Sequence, residues 1–510
     1  MTIVNSLPTI ENVEETESFH LVERIQANPS PKLSKICHLA KNLYNTANYI
    51  MRHYFFLMRE SVERAKEWLE IICNYLVSCS HDFEKVVIVT KTYMERIQKD
   101  TREDHLNCNW DWFFQQDLRI SYIRLEKILK FSSDYRAMPA QSAQHTLKKV
   151  LHDWESYREK TINYYENRKR ITTKEFKKKY PNRPNIPKYK KKEGETVVYF
   201  TNQQCRIKDG NLTFPRYKRS PKSERWIPEI KTRFRGKFSH IEIVPKGAAY
   251  IIGIVYEKNK EDCGLNGDRI VSLDLGVRNI ATMVDNIGSI PIVIKGGVIK
   301  SINQFFNKER ARLMSMKDKQ GYKHWTNRLK RLLLIRFNKL HDLFHKLSKN
   351  IIQYCIDNNI GTIVVGYNIN WKQDSNMGKK NNQNFVSIPF WKLITKIQYK
   401  AEMVGIKLIL TEESYTSKCS FLDRENVGKH RKYKGKRISR GLFRASDGRI
   451  INADVNAAYN IMKKAIPEVK FADGIEGIVL HPQCMNWYEC TNDERIGVRK
   501  KLVLTRGEHF

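Results

Sequence analysis

The sequence predicts a multidomain α+β protein, with a helical region and a small β-barrel toward the N-terminus and a separate α/β domain toward the C-terminus. Three observations lead there. Residues 31–172 are rich in aromatics, short of Gly and Pro, and carry apolar residues at helical spacing. Over 196–257 the pattern switches to short alternating runs separated by turn residues. From Ile270 onward, three short strands give way to alternating helices and strands.

In chain order, residues 1–30 hold acids and no basic n-region, so they read as a loose leader and not as a secretory signal. Leu39, Leu43, Ala47 and Ile50 recur on one face of a helix in 37–56. Pro139 marks a break, and 141–160 reads as another helix. Residues 57–172 are assigned to the helical domain, and 31–56 are grouped with 173–260 in the β-barrel region. The runs TVVYFTN, CRIKDGNLTF, HIEIVP and AYIIGIVYE supply its strands, with Asp209-Gly210 as a turn. The polar stretch 258–269 is a linker, and a domain boundary is expected near 266.

Charge narrows the function. Lys and Arg number 91 against 55 Asp and Glu, a formal net charge of +36. Such self-repulsion calls for a polyanion, nucleic acid or an anionic membrane surface. No run of about 18 apolar residues occurs, which disfavours a membrane span. The ten cysteines include no C-x-x-C pair and read as reduced thiols of a cell interior. That interior is cytoplasm or nucleoid in a prokaryote and the nucleus in a eukaryote. Between Arg168 and Lys192 stand twelve basic residues and one acid, with Phe176, Tyr180 and Tyr189 among them and prolines that break any helix. A solvated charge run is the plain reading. The interleaved aromatics favour a segment that tracks nucleic acid, with Arg168, Lys169, Arg170, Lys177, Lys178, Lys179, Lys188, Tyr189 and Lys190 as candidates.

The C-terminal domain is assigned to 266–465. Strands 270–277, 280–286 and 290–296 form an antiparallel meander. A long helix follows at about 322–357, with Leu329, Leu333, Phe337, Leu340, Phe344, Leu347 and Ile351 on its apolar face. Strand 362–369, a helix near 390–404, strand 406–414 and a helix opening in INADVNAAYNI (451–461) complete the set; 466–510 is a tail. Three antiparallel strands and then αβαβα is the element order of an RNase H-like fold, with sheet order 3-2-1-4-5.

This order concentrates acids. Asp274 sits within the first strand between Leu273 and Leu275. A buried carboxylate without a counter-charge costs several kcal/mol, on the order of the burial penalty of an ion. In this fold the last helix starts beside strand one, so Asp454 stands close to Asp274. Helix capping alone is the plain account of an acid there. Two like charges at that distance repel unless a divalent ion lies between them. Oxygen ligands suit Mg²⁺, and two ions activate water and stabilise the leaving oxygen in phosphodiester hydrolysis. Asp454 is therefore read as a metal ligand, with Ala457 and Ala458 permitting close helix–sheet approach.

SLDLGVRNIAT, IGTIVVGYNINWKQ, EESYTSKCSFLD and INADVNAAYNI resemble the RuvC-type nuclease domain of the transposon-encoded TnpB (OrfB) family, related to Fanzor proteins and type V CRISPR effectors. The resemblance runs in order over about 266–461. CHLAKNLYNTANYIMR and RPNIPKYKKK resemble N-terminal segments of the same family, more weakly. It implies a recognition domain for the helical region and a wedge domain for the barrel. It also implies an RNA-guided DNA endonuclease, with a guide RNA and a double-stranded DNA target as partners. A single RuvC site would cut with two Mg²⁺ ions, while base pairing reads the sequence.

Two departures from the family pattern stand out. The strand that usually ends in glutamate reads Val364-Val365-Gly366-Tyr367-Asn368 here. Glycine cannot bind metal through a side chain. Glu412 and Glu413 end the neighbouring strand, about 4.8 Å away, and Gly366 leaves a gap that one of them can cross. Some family members are described with the acid moved to just before the TSK motif. Glu413 is the closer match and Glu412, expected on the opposite face, is the alternative; both are otherwise surface acids at a strand end. The second departure concerns zinc. Family members often carry a ribbon of paired cysteines after TSK, whereas Cys419 has no further cysteine before Asp454 and His430 stands alone. About four ligands are needed, so no zinc is expected. In its place 415–452 carries a basic hairpin turning at Asp447-Gly448, where Lys434, Lys436, Arg437 and Arg440, with Lys432, are candidates for backbone contacts. A solvated basic loop is the plain alternative.

Asp274, Glu413 and Asp454 are thus the candidate catalytic and Mg²⁺-ligating residues. Two other readings stay open: a guided DNA-binding protein without cleavage, and a different RNase H-like protein such as a DNA-joining transposase.

Overall fold

A computed structural model describes residues 18–57, 121–173, 176–177, 180, 182–216, 227–368 and 387–486. The chain divides into two compact units, one of residues 20–257 and the other continuing from Lys258.

The first unit opens with strand β1 (Ser18–Ala27) and helix α1 (Pro31–Leu57). The expected leader therefore ends sooner than predicted. Phe19, Leu21, Ile25 and Ala27 alternate with exposed residues, a strand pattern that the acids of the flanking sequence obscured. Helices α2 (Tyr122–Leu129), α3 (Ser133–Arg136) and α4 (Ala140–Arg170) follow, and Pro139 stands directly before α4. The strands β2 (Val198–Thr201), β3 (Arg206–Lys208), β4 (Asn211–Thr213), β5 (Ile230–Lys231), β6 (His240–Pro245) and β7 (Tyr250–Asn259) form two sheets, β1-β7-β6-β2 and β3-β4-β5. Neither sheet closes on itself among the described residues, so the stranded region is two small sheets where a barrel was expected.

One core serves helices and strands together. Leu43, Ala47 and Ile50 of α1, Leu147 and Trp154 of α4, and Phe200, Ile241 and Ile254 of the sheet are all in it. Residues 31–56 are thus shared by both regions. Two polar pairs fix the register of α1 on α4. The Tyr44 hydroxyl donates to Asp153 at 2.8 Å, and Trp154 Nε1 donates to Asn48 Oδ1 at 2.9 Å.

The second unit contains β8 (Asn266–Asp274), β9 (Asn279–Asp285), β10 (Ile292–Lys295), α5 (Gly297–Lys319), α6 (Asn327–Asp357), β11 (Ile360–Gly366), α7 (Phe390–Met403) and β12 (Lys407–Thr411). The remainder is β13 (Lys436–Ser439), β14 (Leu442–Arg444), β15 (Ile450–Asn452), α8 (Ala453–Ala465), α9 (Ile475–Ile478) and β16 (Gln483–Met485). Its main sheet runs β12-β11-β8-β9-β10-β16. Without β16 this is the predicted order. β8, β9 and β10 are antiparallel, while β11 is parallel to both β8 and β12.

Three features depart from the sequence reading. Helix α5 precedes the long helix; it buries only Ile299, Asn303, Leu313 and Lys317, too sparse a stripe to announce itself. Leu333 of α6 is 42% exposed, because Leu332 and Leu334 take the buried positions there. Part of the tail folds back as β16, parallel to β10, a strand too short to show alternation.

Alternation along the central strands decides what faces what. Val271 and Leu273 of β8 and Ile363 and Val365 of β11 meet Leu340, Phe344, Leu347, Leu393 and Ile397 of α6 and α7. Ile270 and Val364 belong to the opposite core, with Val455, Ala458, Tyr459 and Ile461 of α8. By the same alternation, Asp274 and Gly366 lie on the α8 side.

Candidate active site

Asp274 ends β8 and is paired across to Thr282 of β9. The neighbouring helix α8 is capped by Asn452, whose Oδ1 accepts from the backbone N of Asp454 at 2.9 Å and of Val455 at 3.3 Å. Capping is thus done by the asparagine, and the Asp454 carboxylate is left for other partners. Its Oδ2 accepts from Asn279 Nδ2 at 2.7 Å, and its Oδ1 lies 3.8 Å from the Arg437 guanidinium.

The amides of INADVNAAYNI have a further task. Asn460 Nδ2 donates to the carbonyls of Thr416 and Cys419 at 2.9 and 2.7 Å. Asn456 Nδ2 donates to the Cys419 carbonyl, and its Oδ1 accepts from Phe421 N, each at 2.9 Å. Both side chains are buried. They tie the loop after β12 to α8 by satisfying its backbone, as buried peptide groups require.

That loop carries Glu413. Gly366, the last residue of β11, is in register with Thr411. Glu413 N donates to Asn368 Oδ1 at 2.9 Å, and Thr416 Oγ1 donates to the Glu413 carbonyl at 2.8 Å. With its backbone so held, the Glu413 side chain crosses onto β11. A Cβ built on Gly366 would stand 2.6 Å from Glu413 Oε1 and 2.8 Å from its Cγ. Glu412 does not enter the site: its side chain is 57% exposed and meets Ser414 Oγ at 3.0 Å and Lys464 Nζ at 3.4 Å.

The electrostatics couple these acids. Burial, and then the charge of Asp454, raise the Asp274 carboxyl above its usual range, with Arg437 opposing. Burial, and then the charge of Asp274, raise Glu413, with Lys464 opposing. Glu413 Oε1 is buried and accepts no hydrogen bond. An unmet buried acceptor costs about 1–3 kcal/mol.

These observations test the fit to a divalent cation. As placed, no three His, Cys, Asp or Glu side chains among the described residues stand close enough to hold a metal ion. The donor chemistry nevertheless fits. Asp274, Glu413 and Asp454 offer hard oxygens, two of them resist ionising without a cation, and one buried oxygen has an unfilled valence.

The candidate nucleic-acid residues are not brought together in one place. Arg168, Lys169 and Arg170 form the exposed last turn of α4. Lys177 and Lys188 are exposed, and Lys178 and Lys179 lie outside the described residues. Residues 187–192 are strapped to α1, which the charge pattern does not show. Arg52 Nη1 and Asn48 Nδ2 donate to the Pro187 carbonyl at 2.8 and 3.2 Å, and Lys41 Nζ donates to the Lys192 carbonyl at 2.7 Å. Asn45 binds both backbone groups of Lys190. Lys190 Nζ lies 4.4 Å from the Tyr44 ring centroid, and the Arg52 guanidinium 5.0 Å from that of Tyr189, so both side chains have structural partners.

In the second unit, Lys434 Nζ donates to the Asp423 carbonyl at 3.3 Å, while Lys436 and Arg440 are exposed. The expected hairpin is the β14–β15 half of a three-stranded sheet, and Gly448 has φ 89° at its turn. Cys419 is buried and its thiol donates to the Gly428 carbonyl; His430 Nε2 is 2.7 Å from the Asn426 carbonyl.

Sequence reasoning passed over Asn279, Asn368, Asn456 and Asn460. Asn279 lies five residues after Asp274 in DLGVRN, and nothing in its local pattern shows that it meets the start of α8.

Comparison with known proteins bears on the same segment. Residues 253–372 match the OrfB_IS605 family, described as a probable transposase, and 390–461 match a Cas12f1-like TNB domain. The first match contains Asp274 and Gly366, the second Glu413 and Asp454. A TnpB-like protein, ORF457, of Acidianus two-tailed virus is 28% identical over 208 residues, which cover 39% of this chain and 42% of that protein. The CRISPR-associated endodeoxyribonuclease Cas12f1 of Sulfoacidibacillus thermotolerans is 28% identical over 231 residues, 43% of this chain and 50% of that protein. The aligned parts span half or less of these relatives. A cryo-EM structure of a Cas12f1–sgRNA–target DNA complex superposes with a TM-score of 0.45 at 15% identity, covering 89% of this chain and 100% of that one. No helix among the described residues is long and apolar enough to cross a membrane.

Proposed function

We infer, from the relation of residues 253–461 to the TnpB/OrfB family of IS605 elements and to Cas12f, that this chain is an RNA-guided DNA endonuclease. In this reading it belongs to the subgroup whose second acid has moved to the strand beside its usual place. The observation that carries the reading is the Glu413 side chain lying over Gly366 with a buried, unpartnered oxygen, electrostatically coupled to Asp274.

Asp274, Glu413 and Asp454 would hold the divalent ions, which supply an activated water and stabilisation of the leaving oxygen. The chain's own part is to aim and insulate these carboxylates. Asn279 orients Asp454, Asn368 and Thr416 hold the Glu413 backbone, and Asn456 and Asn460 anchor the loop between them. A guide RNA and double-stranded DNA are the proposed partners, and the charge of +36 supports a polyanion of that size. The proposed site needs Mg²⁺ and no zinc.

The test is to sequence RNA that copurifies with the chain, then offer it DNA matched to that guide beside a randomised flank, with Mg²⁺. Cut DNA carrying a defined flank supports the reading. Guide-dependent binding without cutting would replace it by a guided binding protein. Strand joining that needs no RNA would replace it by a DNA-joining transposase.

A further inference from the structure

Asp454 is gripped on both sides. Asn279 is 6% exposed and its Nδ2 donates to Oδ2 at 2.7 Å. Asn279 opens β9, just after a tight connection from β8. A Cβ on Gly276 would stand 2.9 Å from the Asn279 carbonyl, and one on Gly296 would stand 2.6 Å from the Val277 carbonyl. Gly296 N also donates to the Arg278 carbonyl at 2.8 Å. This half of the grip is built into the sheet and cannot move without it.

The other half is a cation. Arg437 lies on β13, the outer strand of the small β13-β14-β15 sheet, and its guanidinium is 3.8 Å from Asp454 Oδ1. Its side chain is 44% exposed, and it also donates to the Arg440 carbonyl across the adjoining turn. β15 runs directly into α8, and Ala453 N donates to the Gly441 carbonyl at 3.0 Å, so this sheet is seated on the start of the helix that carries Asp454. β13 itself is exposed at all four residues. A guanidinium on an exposed edge strand thus faces the one oxygen of the carboxylate that Asn279 does not hold.

We propose that Arg437 is the resident counter-ion of Asp454, a positioning residue that a divalent ion must displace from Oδ1, while Asn279 keeps Oδ2 in place for both states. This rests on the reading of Asp274, Glu413 and Asp454 as cation ligands. The two cations cannot share Oδ1 freely, since like charges a few ångströms apart repel. Arg437 then lowers metal affinity in the unbound protein and keeps Asp454 aimed until metal arrives.

The experiment is calorimetric titration of the full chain with Mn²⁺ in the absence of nucleic acid. Arg437→Gln should bind Mn²⁺ about fivefold or more tightly than the unaltered protein, and Arg437→Lys should fall between. Arg444→Gln removes a charge from the adjacent strand and should change affinity less than twofold, which separates direct competition from net charge. Asn279→Ala should weaken binding. Asp274→Asn should abolish it; if Mn²⁺ affinity survives Asp274→Asn and Asp454→Asn alike, the carboxylate site itself is misassigned. If those variants lose the metal but Arg437→Gln binds no more tightly than the parent, or no more tightly than Arg444→Gln, Arg437 is not the competing cation. Circular dichroism of each variant, matching the parent, shows that the fold is kept.

Discussion

Glu413 fills the place of a side chain that Gly366 lacks. Its Oε1 lies 2.6 Å from where a Cβ of residue 366 would be, and Ile461 Cδ1 of α8 lies 2.7 Å from the same point. Glycine at the end of β11 and glutamate after β12 are therefore complementary, the absent side chain of one strand making room for the acid of the next.

Gly366→Ala should accordingly be costly. Both contacts are below 3.0 Å, so the side chains must shift, and overpacking of this kind typically costs about 1–3 kcal/mol. Denaturant unfolding should show that loss, and cleavage should fall with it. In a Glu413→Ala background the same change should cost less, since one of the two obstructions is gone. Gly297→Ala, with nothing within 4 Å of its Cβ, should be near neutral.

Under the proposed function, Asp274→Ala, Glu413→Ala and Asp454→Ala should each reduce guided cleavage at least a hundredfold while sparing guided binding. Glu412→Ala should change cutting by less than about threefold, because its exposed side chain meets only Ser414 and Lys464. Normal cutting by Glu413→Ala, with Glu412→Ala inactive, would transfer the role to Glu412.

Stability should depend on pH through the raised acids. In the unfolded chain Asp274 and Glu413 lose their protons near pH 4. In the folded chain burial, and then a neighbouring charge, hold both protons to higher pH. The folded state binds more protons over that interval, so metal-free stability is full below about pH 4 and falls as pH rises through the folded-state values. Melting temperatures in chelator should decline more steeply with pH for the parent than for Asp274→Asn with Glu413→Gln. Added Mn²⁺ should recover more stability at pH 8 than at pH 5. Equal slopes in parent and double variant would show that the two acids are not raised.

Asn460→Ala should destabilise the second unit by about 1–3 kcal/mol, since it strips the Thr416 and Cys419 carbonyls of a buried donor. Hydrogen exchange of 414–421 should rise in that variant. Unchanged exchange would mean that the loop is held by other contacts.

The exposed turn of α4 and the strap on α1 should behave differently. Replacing Arg168, Lys169 and Arg170 together by Gln should reduce the salt dependence of nucleic-acid binding and leave the melting temperature unchanged. Asn45→Ala, which frees the backbone of Lys190, should lower the melting temperature instead.

Much of the second unit was legible in the residues. Runs such as IVSLDLGV and TIVVGYNI mark buried strands, and their order determines the five-strand arrangement by simple connectivity. The glycine in place of an acid at 366, with two acids ending the next strand, marked the relocation as a question and offered Glu413 as its closer answer. Short or sparsely patterned elements escaped: α5 buries four residues in six turns, and β16 has three residues in all. The strap at 187–192 escaped too, since charge and proline describe a segment's own preferences and not the helix it binds.

By itself, the sequence determined the strand and helix periods, the basic charge, and which acids lie near strand ends, because these depend on residue type and local spacing. Tertiary structure alone decided which oxygens go unpartnered and which cation stands beside them. Asn279 meets Asp454 across 175 residues, and Glu413 crosses a strand boundary to reach the space at Gly366. Such contacts arise from the packing of α8 on the sheet, where burial removes water and makes each carboxylate answer to its neighbours' charge.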